Sequence, residues 1–525
     1  MKKKVMTLRS MVVFFAVALF LFGVNIGSQA QSAGTGNENC AKLEDLYLPN
    51  TVIINTCMVP AAGDLPEYCR VTGYVLPANH FEVRLPTHSW NEKFYMAGCG
   101  GYCGSVMDRP GFTNAMNYGL LRKYAVATTD MGHWGKSMFD GTWAYNARQQ
   151  EIDFGYRGTH EVTQAAKAII KAYYGKGPVH SYFAGCSNGG RQALMEAQRY
   201  PEDYDGIICG APALDWTGLV GIHACWIIQA NTGKDGKPII DWDDLALISK
   251  AVYERCDQKD GLKDGIVVDP RECDFNPESL LCKGDQKEGC LTAEQVNALK
   301  KMYGGAKDSK GNQIYAGGLA MGSETFWGLW VIGGKPGPYG GILPALMSML
   351  ADDHIRYTAF ETDCPSCTPL GFNFDTDPEK MAYMAKLLNA TSPDLKKFNA
   401  KGGKMIMYQG WADPAVTPLR TVEYYEGVIK EMGGLEQTQR FCRLYMVPGM
   451  AHCNIPPGVG PDQFDLLKPL EDWVEKGIAP EQIAASQTDK EGKVTRTRPL
   501  YPYPQVSVYK GSGDVNDAVN FSFSQ

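Results

Sequence analysis

The chain has 525 residues, 44% of them hydrophobic and 21% charged, a globular composition that excludes a disordered or collagen-like polymer. A formal net charge of -7 leaves no basic footprint for nucleic acid. The length exceeds one simple core and predicts a large domain with an insertion, or several domains.

The chain opens on Lys2, Lys3, Lys4 and Arg9, then an apolar run from Met11 to Gly23, then the small residues of Ser28-Gln29-Ala30. This order predicts a signal peptide over residues 1–30, cleaved before Gln31. Asn25 stops the run short of the ~20 residues that a membrane span needs. The expected product is exported, periplasmic or secreted, with no membrane partner after cleavage. The chain has 16 Cys, and an even number in an oxidising compartment predicts disulfides. Cys364 and Cys367 form a lone CxxC without the second pair that a zinc site wants.

From Cys40 to Trp216 strand-like and helix-like text alternates. Phe81–Leu85, Phe94–Ala97, Tyr124–Thr128 and Val179–Ala184 read as strands, and Thr159–Tyr174 has helical spacing. Residues 215–395 are rich in Gly, Asp and Pro, with Thr292 placed to cap a helix to Met302. Strand-like text resumes at Lys404–Tyr408 and Phe441–Val447, and a helix closes over Phe464–Trp473. The pattern predicts an α/β protein with a mostly parallel sheet. Residues 31–214 and 396–525 would build that sheet, and residues 215–395 an inserted domain.

Gly185-Cys186-Ser187-Asn188-Gly189 follows a predicted strand and precedes a helical stretch, Arg191–Tyr200. A nucleophile elbow needs this context, and it predicts the α/β-hydrolase fold with Ser187 as nucleophile. The turn is tight, so residues two before and two after Ser187 are expected to be small. A serine hydroxyl needs a general base. Among eight His, His452 lies in a loop after the last strand-like segment, as the Ser–Asp–His chain order of this fold requires. Asp413, in the loop after Lys404–Tyr408, is the expected orienting carboxylate; a turn-capping Asp-Pro is the alternative. Cys186 precedes Ser187 and Cys453 follows His452. If Ser187 and His452 are in hydrogen-bond reach, these two Cys are close enough to bridge.

These residues resemble the tannase and feruloyl esterase family, whose members cleave esters of aromatic acids. The match runs through Gly-Cys-Ser-Asn-Gly-Gly-Arg at 185–191, Gly-Trp-Ala-Asp at 410–413, Val-Pro-Gly-Met-Ala-His-Cys at 447–453 and Arg-Pro-Leu-Tyr-Pro-Tyr-Pro at 498–504. The resemblance implies a Cys186–Cys453 disulfide and a lid domain over the active site. It implies oxyanion donors at the amides of Gly101 and Asn188. It also implies a structural calcium ion in the lid, held by Asp257, Asp260 and Asp264 with the carbonyls of Leu262 and Ile266; by themselves these residues read equally as Asp-Gly turns. Further implied disulfides are Cys256–Cys273, Cys282–Cys290 and Cys40–Cys69. Pairing of Cys57, Cys99, Cys103, Cys209, Cys225, Cys364, Cys367 and Cys442 stays open.

The expected function is a secreted serine carboxylesterase without organic cofactor. Its partner would be a small aromatic ester, free or attached to plant polysaccharide or polyphenol. The same triad serves a peptidase, and the fold also serves non-catalytic binding proteins, although these usually lose a triad member.

Overall fold

The computed structural model describes residues 36–106, 113–286, 288–334 and 344–524. The expected signal peptide lies outside the described residues. The centre is a nine-stranded sheet. Its strands are β1 (Thr51–Val59), β2 (Tyr68–Val75), β3 (Asn79–Pro86), β4 (Lys93–Ala97), β5 (Ala125–Thr129), β6 (His180–Cys186), β7 (Gly206–Gly210), β8 (Lys404–Gly410) and β9 (Cys442–Val447). The order across the sheet is β1-β2-β3-β5-β4-β6-β7-β8-β9. Every pair from β5 to β9 is parallel, while β1, β2, β3 and β5 pair antiparallel. The fold is therefore the α/β-hydrolase type with a mostly parallel sheet.

Strands buried on both faces explain why the centre of this sheet reads as apolar runs. One face carries Phe94, Met96, Phe183, Ile207, Met405 and Met407. It packs against α2 (Gly158–Tyr174), α3 (Asn188–Arg199) and α7 (Pro418–Glu431), through residues such as Ile169, Leu194 and Val428. The other face carries Tyr95, Tyr182, Ile208, Ile406 and Tyr445 against α1 (Thr113–Leu120) and α8 (Leu467–Lys476). The helices α2 and α8 and the strands β3, β4, β5, β6, β8 and β9 fall where the sequence places them, within a few residues. After α8 the chain adds two small antiparallel pairs, β10 (Ile483–Thr488) with β11 (Val494–Leu500), and β12 (Ser507–Tyr509) with β13 (Phe521–Phe523).

The insertion leaves the sheet after β7 and returns at β8. Its described residues are helices and loops, including α4 (Trp242–Cys256), α5 (Ala293–Gly304) and α6 (Leu346–Asp353). It has its own core of Ile248, Val252, Leu299, Met302, Trp327 and Met347. Thr292 starts α5 with a capping box: its hydroxyl accepts from the Gln295 amide, and the Gln295 side chain accepts from the Thr292 amide. A second cluster, with Tyr102, Phe154, Trp216 and Val220, joins the insertion to the sheet domain.

The chain forms Cys40–Cys69, Cys99–Cys103, Cys186–Cys453, Cys256–Cys273, Cys282–Cys290 and Cys364–Cys367. Cys57, Cys209, Cys225 and Cys442 are free. The lone CxxC thus pairs with itself. No helix among the described residues is long and apolar enough to cross a membrane.

Candidate active site

Strand β6 ends at Cys186, and α3 begins at Asn188. Ser187 is the whole connection, with φ 65° and ψ -123°. A non-glycine residue at positive φ is costly and persists only where its surroundings enforce it. Here the enforcement is mutual closeness. A Cβ on Gly185 would lie 2.5 Å from the carbonyl of Gly189, and one on Gly190 would lie 2.3 Å from Gly210 O. The added methyl at Gly189 would meet nothing nearer than 3.4 Å. The space is therefore short at Gly185 and Gly190, and Gly189 is less confined than the motif suggests. Gly190→Ala is expected to cost about 1–3 kcal/mol of stability by overpacking, and Gly189→Ala clearly less. Urea denaturation of the two variants checks this; equal losses would refute it.

Asp413 and His452 meet in loops that follow the carboxyl ends of β8 and β9. His452 Nδ1 is 2.8 Å from Asp413 Oδ2. Asp413 Oδ1 accepts from the amides of Ala415 and Val416 at 2.8 and 2.9 Å. Gln409 donates from Nε2 to Asp413 Oδ2 at 3.0 Å and accepts from the Thr421 hydroxyl. The carboxylate is 1% exposed, so these donors fix its orientation and replace lost water. Gln409 escaped the sequence reading. A polar residue near the end of a buried strand, four before a loop Asp, was the available signal.

The disulfide Cys186–Cys453 ties the loop after β6 to the loop after β9, with Cα atoms 6.0 Å apart. Ser187 and His452 are the chain neighbours of these two Cys. Both residues line one cavity of about 520 Å³, within the range of small-molecule sites. Trp330, from the insertion, sets its ring edgewise to His452, with centroids 5.1 Å apart. Trp216, Leu219, Met347 and Leu350 add further walls.

Gly100 and Gly101 line the same cavity. The loop is held by the Cys99–Cys103 bridge and by α3. Gln192 donates to Cys99 O and Sγ at 3.4 and 3.2 Å, and Asn188 Nδ2 donates to Cys103 Sγ at 3.2 Å. The amide of Asn188 opens α3, where it has no intrahelical acceptor.

The Asp-rich loop of the insertion lies after α4. Asp257 Oδ1 accepts from the amides of Asp264, Gly265 and Ile266 at 3.1, 3.0 and 3.2 Å. Asp260 Oδ1 accepts from Leu262 N at 3.0 Å. Burial, and then the charges of Asp264 and Asp257, push the Asp260 carboxyl up to about 6. Asp264 Oδ2 accepts from Arg498 at 2.6 Å, while its buried Oδ1 has no partner. These three carboxylates do not close to within 4.8 Å of one another; among the described residues His160, Glu196 and Asp203 do. The loop offers oxygen donors of the type calcium takes, and one of them, Asp264 Oδ1, is buried without a partner.

A family model described as tannase and feruloyl esterase matches residues 65–524. An uncharacterised esterase of Xanthomonas campestris pv. campestris is 37% identical, over 92% of this chain and 90% of its own. The mono(2-hydroxyethyl) terephthalate hydrolase of Piscinibacter sakaiensis is 35% identical, over 88% of this chain and 85% of its own. Among solved structures, an esterase from Aspergillus oryzae superposes with a TM-score of 0.81 at 26% identity, covering 93% of this chain and all of its own.

Proposed function

Because the chain belongs to the tannase and feruloyl esterase family, we propose that it hydrolyses esters of aromatic acids through an acyl-enzyme on Ser187. The observation that carries the reading is the cavity shared by Ser187 and His452, with Asp413 on the far nitrogen of the imidazole. His452 Nε2 takes the proton from Ser187 Oγ as the oxygen attacks the ester carbonyl. Asp413 holds the tautomer with Nδ1–H and stabilises the imidazolium. The amides of Gly101 and Asn188 receive the oxyanion, and loss of one such donor costs about 3 kcal/mol. His452 returns the proton to the leaving alcohol oxygen. Water then repeats the sequence on the acyl-enzyme and frees the acid.

The aromatic side chains of Trp216, Trp330 and Phe139 on the cavity wall support an aromatic acyl group, since offset and edgewise ring contacts add to area burial. The small ester is read as free or as a pendant of plant polysaccharide or polyphenol, met outside the cytoplasm. The basic and apolar leader and the six disulfides support export. A panel of methyl ferulate, methyl gallate, chlorogenate and terephthalate monoesters, set beside peptide anilides, tests the reading. Turnover of the anilides above every ester would assign a peptidase instead.

A structural calcium ion in the insertion belongs to the same proposal. Asp257, Asp260 and Asp264, with the carbonyls of Leu262 and Ile266, would hold it; it would supply charge neutralisation for the acidic groups of this loop. The unpartnered Asp264 oxygen and the raised Asp260 carboxyl support this. An ion present at a hundred times its Kd and bound only by the folded chain adds about 2.7 kcal/mol. Chelation with EGTA is therefore expected to lower Tm by several degrees, with recovery on calcium and not on magnesium. An unchanged Tm would remove calcium from the account.

A further inference from the structure

The catalytic cavity has two sides. One lies under the insertion and carries Trp216, Trp330 and Phe139. The other lies against the sheet, on the face that packs α1, and is walled by Tyr95, Ala115, Ala184, Ile208 and Tyr408. Strand register places these side chains together. Ala184 pairs with Ala97 and Ile208, and Cys186, Gly210 and Tyr408 pair in line across three strands. Ala184 is small, so the floor drops beside Ser187. Gly210 lets the Tyr408 ring lie across its neighbour strand: a Cβ there would sit 2.2 Å from Cζ and 2.3 Å from the phenol oxygen. That oxygen therefore lies over Gly210 of β7, the strand beside β6, which ends in the Ser187 turn.

Among the described residues of this arm, Tyr95 and Tyr408 bring the hydroxyl groups. Neither has a hydrogen-bond partner among the described residues. Burial first, and then Tyr408, push the Tyr95 phenol up; burial, and then Cys209, do the same for Tyr408. Both stay neutral and able to donate. Both residues line the cavity, so each phenol is placed to donate to an acceptor that enters it.

We propose that this arm binds the alcohol half of the ester, and that Tyr95 and Tyr408 select alcohols that carry a further hydroxyl. The inference rests on the aromatic-ester reading above. The aromatic side suits the acid ring. Strand β6, which carries Ala184 of this wall, runs directly into the Cys186–Cys453 bridge beside His452, and His452 must reach the departing alcohol oxygen to give it its proton. The walls are otherwise apolar, which suits a short carbon chain.

The test compares the propyl and 3-hydroxypropyl esters of one aromatic acid that the enzyme cleaves. Both give the same acyl-enzyme, so kcat/KM isolates the alcohol. The wild type is expected to favour the hydroxypropyl ester by about tenfold, the worth of one buried hydrogen bond. Tyr95→Phe and Tyr408→Phe remove only an oxygen, and each is expected to lower that ratio several-fold, the pair to near one. A wild-type ratio of one overturns the proposal. So does an equal loss on both esters, which marks a structural role. If aromatic methyl esters also fail, the aromatic-ester reading falls; if they are cleaved while the ratio is one, only the alcohol site falls.

Discussion

Ser187→Ala is expected to lower kcat by about five to six orders of magnitude while the chain stays folded, in line with nucleophile removal in other serine hydrolases. The substitution deletes one oxygen from a side chain at the cavity wall, so circular dichroism and Tm should match the wild type. His452→Ala should cost about as much, because the two groups act as a unit. Asp413→Asn should cost about four orders, since an amide there favours the wrong tautomer. The Asp413 substitution also meets two backbone amides on Oδ1 and the Gln409 amide on Oδ2. An Asn amide group would face donors whichever way it turns. Burst kinetics with a chromogenic ester measure acylation directly. Hydrolysis within a hundredfold of wild type in Ser187→Ala would refute this assignment.

The double variant Cys186→Ser with Cys453→Ser is expected to lose both stability and turnover. The bridge closes a loop across a sequence separation of 267, which by chain-entropy scaling restricts the unfolded chain by on the order of 5 kcal/mol. It also sets geometry. Ser187 and His452 arrive on separate loops, after β6 and β9, with β7 and β8 between them. Cys453 itself sits at φ 52°, a conformation that the surroundings must hold. A shift of about 1 Å between reacting groups costs on the order of a hundredfold. The expected outcome is a Tm lower by several degrees and kcat lower by about a hundredfold, with KM changing less. Scanning calorimetry and steady-state kinetics decide it. Retention of wild-type Tm and kcat would show that packing alone holds the loops.

The strand–Ser187–helix turn was legible because its causes are local. A Gly-x-Ser-x-Gly run between a strand and a helix states its own geometry, and the order Ser187, Asp413, His452 follows from the chain path through a parallel sheet. The antiparallel strands β1 and β2 were not legible. β1 has irregular burial over its nine residues, so no clean period marks it; β2 alternates in burial, but Gly73 sits at a buried position and Tyr74 at a half-buried one, which blurs the period in its text. β7 was missed for a different reason: five residues, Gly206–Gly210, are too few to show a period, and two are glycines.

Sequence by itself determined the class of sheet, the strand–Ser187–helix turn, the candidate partners Asp413 and His452 and the Cys pair that bridges beside them, because each is written in neighbouring residues or in chain order. Only the tertiary structure decided what surrounds them. The support of Asp413 by Gln409 depends on a side chain folding back from β8. The clamp of Gln192 on Cys99 depends on α3 meeting a loop far away in the chain. The approach of Trp330 to His452 depends on how the insertion docks, and the two-sided cavity depends on strand register and on two small residues, Ala184 and Gly210. Contacts between distant segments are set by packing, and packing leaves no period or motif in the text of either segment.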